Sequence, residues 1–115
     1  MMDEGILLAK KCREFAENKK AHDPVILDLR EVGGPADFFL VVSGDSEPHL
    51  KAIAGEIERG VKESLQRRVF RVSGNSASQW IILDYGNVLV HVMNSGRRDF
   101  YRLEDLWGDA PRLTS

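Results

Sequence analysis

Phe38-Phe39-Leu40-Val41-Val42 is an unbroken apolar run. A strand with one wet face alternates polar and apolar side chains, so a continuous run marks a strand buried on both faces. Such a strand needs cover above and below it, which a sheet with helices packed on it supplies. Ser43-Gly44-Asp45-Ser46 follows, where Asp45 or Ser46 can cap a helix and Pro48 suits its first turn. From there to about Leu65, Leu50, Ile53, Ala54, Ile57, Val61 and Leu65 fall on one helical face, the clearest periodic signal in the chain. Lys51, Glu56, Glu58, Arg59, Lys62 and Glu63 make its other side, a charge run read as a solvated face.

The remaining elements follow from the same two periods. From about Asp3 to Lys20 a helix is expected, with Leu8, Cys12, Phe15 and Ala16 on one stripe. His22-Asp23-Pro24 ends it. Val25-Ile26-Leu27-Asp28-Leu29 reads as a strand, and Gly33-Gly34-Pro35 as a turn. Val69 to Val72 reads as a short strand, followed by a polar loop from Ser73 to Ser78. Trp80 to Tyr85 and Val88 to Met93 read as two strands joined by Gly86-Asn87, a dipeptide suited to a tight hairpin. Ser95-Gly96 reads as a break. Phe100, Leu103 and Leu106 mark a short closing helix ended by Gly108 and Pro111. The order α-β-β-α-β-β-β-α predicts an α/β fold, a mixed sheet of about five strands with helices packed on it.

A chain of 115 residues has room for one core, so residues 1–115 are read as one domain. Hydrophobic residues at 43% and charged residues at 30% suit a folded chain. The net charge of -2 gives no sign of a phosphate-gripping face, so any contact with RNA is expected to be secondary. The single cysteine, Cys12, reads as a small buried hydrophobe and excludes a thiol-rich zinc site. No apolar run approaches the roughly 20 residues that span a bilayer, and the start lacks a signal-peptide pattern; a cytoplasmic location is the default expectation.

The hairpin carries the most information. With a two-residue turn, Tyr85 pairs with Val88, Leu83 with Val90 and Ile81 with Val92. These six residues form one apolar face that should meet the helices. The other face carries Trp80, Ile82, Asp84, Leu89, His91 and Met93, with Trp80 opposite Met93 and Ile82 opposite His91. That face is too apolar for ordinary solvent, yet holds an aspartate and a histidine that suit a sealed core poorly. Tryptophan and methionine among polar groups are typical of protein–protein contacts. Cover by the C-terminal helix, or by a second copy of the chain, remains the alternative.

No catalytic motif emerges. His22, His49 and His91 lack metal-ligand spacing, and there is neither a nucleophile elbow nor a P-loop. Asp28, Asp37, Asp45 and Asp84 are available carboxylates that no tight motif joins. The stretch Ser43 to Ser46 reads as a helix cap more readily than as an anion site. Arg67-Arg68-Arg71 and Arg97-Arg98-Arg102 are small basic groups without the interleaved aromatics of an RNA module.

The hairpin run from Trp80 to Met93 resembles the central signature of the ribosomal silencing factor family, also called Iojap, which reads approximately W-x-x-x-D-x-G-D-V-x-V-H-V. Phe100-Tyr101-Arg102-Leu103-Glu104-Asp105-Leu106-Trp107 is similar to that family's closing motif. Leu27-Asp28-Leu29-Arg30, Ala36 to Gly44 and Lys51-Ala52-Ile53-Ala54 resemble its first strand, its second strand and the start of its long helix. Nearly the whole chain is covered. Asn87 stands where an aspartate is usual, Ala36 for a threonine, Ser73 for a glutamate, and Glu47-Pro48 for a commoner pair.

The resemblance implies a nucleotidyltransferase-like fold with no established catalytic activity; neither a cofactor nor a metal is expected. It implies docking on the large ribosomal subunit through ribosomal protein L-fourteen, where the small subunit would join, and so repression of translation when nutrients are scarce. It further implies a homodimer when free, and Trp80 in the partner-binding region. The competing expectations are a nucleotidyltransferase-like enzyme, on analogy of fold alone, and a homodimeric adaptor with a different partner.

Overall fold

The computed structural model describes residues 3–102, 105, 107, 108 and 110–113. Helix α1 spans Glu4–Asn18, strand β1 His22–Asp28, β2 Phe38–Gly44, helix α2 Glu47–Leu65, β3 Arg71–Asn75, β4 Trp80–Asp84, β5 Val88–Asn94, helix α3 Ser95–Tyr101 and β6 Arg112–Leu113. The strands form one sheet in the order β3-β4-β5-β2-β1-β6. Among the described residues, only β2 and β5 pair in parallel. The mixed α/β architecture is the expected one, with a sixth strand added.

Local chemistry sets the helix starts. Asp3 caps α1 by accepting from the Gly5 and Ile6 amides, and Ser46 caps α2 by accepting from His49. β2 is buried along its whole length, as its apolar run requires. On one face, α1 and α2 cover Ile26, Phe38, Leu40, Val42, Ile81, Leu83, Val88, Val90 and Val92. On the other, Leu27, Leu29 and Phe39 pack with Ala110 and Trp107 from the C-terminal stretch, and Val41 packs with Met93. The buried Arg98 ties α3 to the sheet: its guanidinium donates to the Ser43 hydroxyl at 3.0 Å and to the His22 carbonyl at 3.4 Å.

Four boundaries differ from the sequence reading. β3 occupies Arg71–Asn75 rather than Val69 to Val72, so Ser73-Gly74-Asn75 is strand and not loop. It is an edge strand open to solvent, where neither apolar content nor alternation is required. Gly74 has φ +70, and a Cβ there would stand 2.1 Å from the Trp80 carbonyl oxygen, so only glycine fits. His22 and Asp23 belong to β1, which passes through an irregularity before Val25. Ser95-Gly96 starts α3 instead of breaking the chain, because Asn94 caps it by accepting from the Gly96 amide at 2.9 Å. β6 is two residues long, too short to carry a period. Of the expected closing helix, Leu103 and Leu106 lie outside the described residues. Among the described residues, no helix is long and apolar enough to cross a membrane.

Tyr85 lies in the core face of the hairpin, 4% exposed, and its hydroxyl finds no partner among the described residues. Burial raises its pKa well above the ordinary phenol value. An unsatisfied buried hydroxyl costs about 1–3 kcal/mol. Tyr85→Phe is therefore expected to raise stability by about 1 kcal/mol in urea unfolding; a loss of that size would show that the hydroxyl contributes favourably.

Candidate docking surface on the hairpin

The hairpin closes through the Tyr85 amide, which donates to the Val88 carbonyl at 2.9 Å. Gly86 takes φ +87, the conformation a first turn position of this kind demands. Asp84 shapes the same turn by accepting from the Gly86 amide at 2.7 Å. Arg67 braces it from outside by donating to the Tyr85 carbonyl at 2.9 Å. The register is the expected one: Trp80 faces Met93, Ile81 Val92, Ile82 His91 and Leu83 Val90. Ile81, Leu83, Val88, Val90 and Val92 lie in the core under the helices.

The second face divides in two. Trp80, Ile82, Asp84 and Leu89 are half-buried. His91 is 5% exposed and Met93 is fully buried. The expectation that all six present themselves on one surface needs correction at these two positions. β5 is an interior strand between β4 and β2, and α3 packs over β5 and β2. Met93 is enclosed against Val41 beneath Trp80. The chain's own closing segment thus covers part of this face and leaves the β4 side open.

His91 takes a role that strand alternation did not suggest. The Trp80 Nε1–H donates to His91 Nδ1 at 3.1 Å, so the imidazole is neutral and carries its hydrogen on Nε2. Nε2 is buried with no partner among the described residues, and the ring packs on Phe39 at 4.6 Å between centroids. Burial depresses the His91 pKa from 6.5 to about 4. The histidine therefore holds the indole from below and is not itself on offer. Above it, an open groove of about 380 Å³ is lined by Gly74, Ser78, Trp80, Ile82 and Arg97. Arg97 is exposed and stands beside the tryptophan because α3 begins at Ser95. Reading Ser95-Gly96 as a break hid that neighbour.

The other singled-out residues are accounted for. Cys12 is buried, and burial pushes its thiol pKa up to about 12. In the basic groups, Arg98 is committed to Ser43 and His22, Arg67 to the hairpin turn, and Arg102 pairs with Asp105 at 3.7 Å. Asp28 is held below the usual carboxylate range by its hydrogen bond from Arg30, 2.7 Å away in the ion pair. Asp28 on β1 and Asp84 on β4 are separated by β2 and β5, roughly 14 Å of sheet, so they do not pair.

The model of the family described as ribosomal silencing factor during starvation matches residues 3–115. The chain belongs to this family. Ribosomal silencing factor RsfS from Halalkalibacterium halodurans is 39% identical over 97 residues, covering 84% of this chain and 82% of that protein. Ribosomal silencing factor RsfS from Bacillus subtilis is 38% identical over 95 residues, covering 83% and 80%. A crystal structure of a Chromobacterium violaceum protein superposes with a TM-score of 0.86 at 31% identity, covering 92% of this chain and 88% of that one. The six-stranded mixed sheet described above is thus a sheet of this family, and Trp80 to Met93 is the stretch by which the sequence already resembled it.

Proposed function

We propose that this protein represses translation as a ribosomal silencing factor, docking on the large ribosomal subunit through ribosomal protein L-fourteen and sterically blocking the small subunit. The observation that carries the reading is the half-exposed Trp80 indole, fixed by a buried histidine beside an open groove. A large aromatic held in one orientation loses little freedom on binding, which favours it as an anchor. Ile82 and Leu89 extend the apolar area, Asp84 stands at the turn end, and Arg97 adds a positive rim. The arrangement needs no catalysis and no cofactor: occupying a joining surface is enough. Any contact with ribosomal RNA would fall to exposed arginines such as Arg68 and Arg71 and would be secondary. In the free state we propose a homodimer.

A joining assay on purified ribosomal subunits tests the reading. Added protein is expected to leave the subunits separate in proportion to its occupancy of the large one. Full joining in the presence of bound protein would overturn the steric mechanism. Absence of binding would overturn the partner.

A further inference from the structure

Three side chains, one of them 23 residues before the other two begin, converge at one end of the sheet. His22 opens β1, Asp45 follows β2, and His49 sits in the first turn of α2. Their candidate ligand atoms all lie within 4.8 Å of one another. His22 Nε2 stands 2.9 Å from Asp45 Oδ1, and His49 Nδ1 stands 3.7 Å from Asp45 Oδ2. The two imidazoles meet edge to face at 5.9 Å between centroids. Ligands on one tetrahedral zinc lie roughly 3.4 Å apart, given bond lengths near 2.0–2.1 Å. The observed separations bracket that value, and the exposed His22 and Asp45 side chains are free to adjust by rotation.

A second observation comes from outside the cluster. His49 Nε2 lies 2.6 Å from the Lys19 carbonyl oxygen, which only accepts, so Nε2 carries the hydrogen. Nδ1 is then left with its lone pair on the Asp45 side, 3.7 Å from the carboxylate. A backbone carbonyl that fixes the tautomer and orientation of an imidazole is the usual outer support of a metal-bound histidine. The Asp45 amide now donates to that lone pair at 2.9 Å and would give way to the ion. The positive end of α2 opposes a cation, but Asp45 and the first-turn Glu47 offset it.

We propose that His22, Asp45 and His49 form an open three-ligand site for a divalent ion of the zinc class. Two imidazoles and one carboxylate suit zinc and its transition-metal neighbours and not magnesium or calcium, which take oxygen ligands. The bound ion ties the start of β1, the end of β2 and the first turn of α2 together, and reaches the end of α1 through the Lys19 carbonyl. Because the ion binds the folded chain, it stabilises that chain in proportion to its free concentration. The proposal is independent of the docking surface. Sequence spacing alone does not reveal it, because His22 comes from a segment remote from Asp45 and His49.

The test uses tag-free, chelator-treated protein titrated with zinc chloride by calorimetry at about pH 7.5. One equivalent is expected to bind and to raise the melting temperature, while magnesium chloride does neither. His22→Ala and Asp45→Asn alter exposed side chains, so both variants should fold, and each should weaken zinc binding at least roughly tenfold. Absence of saturable zinc binding to the wild type, or equal binding by His22→Ala, would overturn the site.

Discussion

Trp80→Ala is expected to remove most co-sedimentation with large ribosomal subunits while leaving a folded protein. Truncating an interface tryptophan costs at least about 2 kcal/mol, a roughly thirtyfold loss of affinity. Part of that loss has an internal origin. The indole packs over Met93 and Val41, and its N–H satisfies His91 Nδ1, so the alanine also uncovers the buried strand and leaves both imidazole nitrogens unpaired. Trp80→Phe keeps a smaller aromatic anchor and removes the N–H, so the difference between the phenylalanine and alanine variants reports the anchor. Circular dichroism and melting curves establish that each variant is folded. A folded Trp80→Ala variant that still co-sediments like the wild type removes this surface from the mechanism. Sizing the two proteins side by side tests the dimer. If the variant becomes monomeric and keeps its ribosome binding, the hairpin face is the contact between copies.

The second large effect is on acid stability. His91 has its pKa lowered from 6.5 to about 4 by burial. In the unfolded chain the imidazole takes its proton near 6.5, and in the folded chain only near 4. Between those values the unfolded state binds more protons, so stability rises with pH through that window and is lost as pH falls across it. The contribution is on the order of 3 kcal/mol when the pKa change is converted at 1.36 kcal/mol per unit. His91→Gln does not titrate and retains an acceptor for the Trp80 N–H. Urea unfolding at a series of pH values is expected to give a wild-type curve that falls more steeply than that of His91→Gln between about pH 6.5 and pH 4. The difference between the two isolates His91 from the carboxylates, which titrate in both proteins. Parallel curves would show that the imidazole is not held neutral by the fold. Protonation also removes the acceptor at Nδ1, so Trp80 fluorescence should change in the same window in the wild type alone.

The parts of this molecule legible in the sequence are those where a period and a boundary coincide. α2 has apolar residues at helical spacing and a serine cap, and both appear where expected. The hairpin has two alternating strands and a turn dipeptide, which together fix which residue faces which. The illegible parts have other determinants. β3 and β6 are edge pieces held by backbone pairing, so their side chains carry little pattern. For the candidate site, alternation placed Trp80, Ile82, Asp84, Leu89, His91 and Met93 on one face. It could not say what covers that face. Cover depends on α3 and on Trp107 and Ala110, which return to the sheet after the hairpin is complete. The grouping of His22 with Asp45 and His49 depends on two segments meeting in space, which no linear spacing encodes.

The central pairing of the sheet also governs how the chain reaches this state. Phe38 lies beside Val88 and Gly44 beside Asn94, so each contact joins residues 50 positions apart, from 38 to 88 and from 44 to 94. Such distant pairing delays folding, because loop closure precedes the contacts that stabilise it. During synthesis the apolar segment Phe38 to Val42 emerges well before its parallel neighbour exists, and until then one edge of it is bare. A chain halted before Val88 would therefore present a sticky, half-built sheet to chaperones and to other nascent chains. The order in which the strands leave the ribosome thus makes an interrupted round of synthesis the most hazardous moment in the life of this sheet.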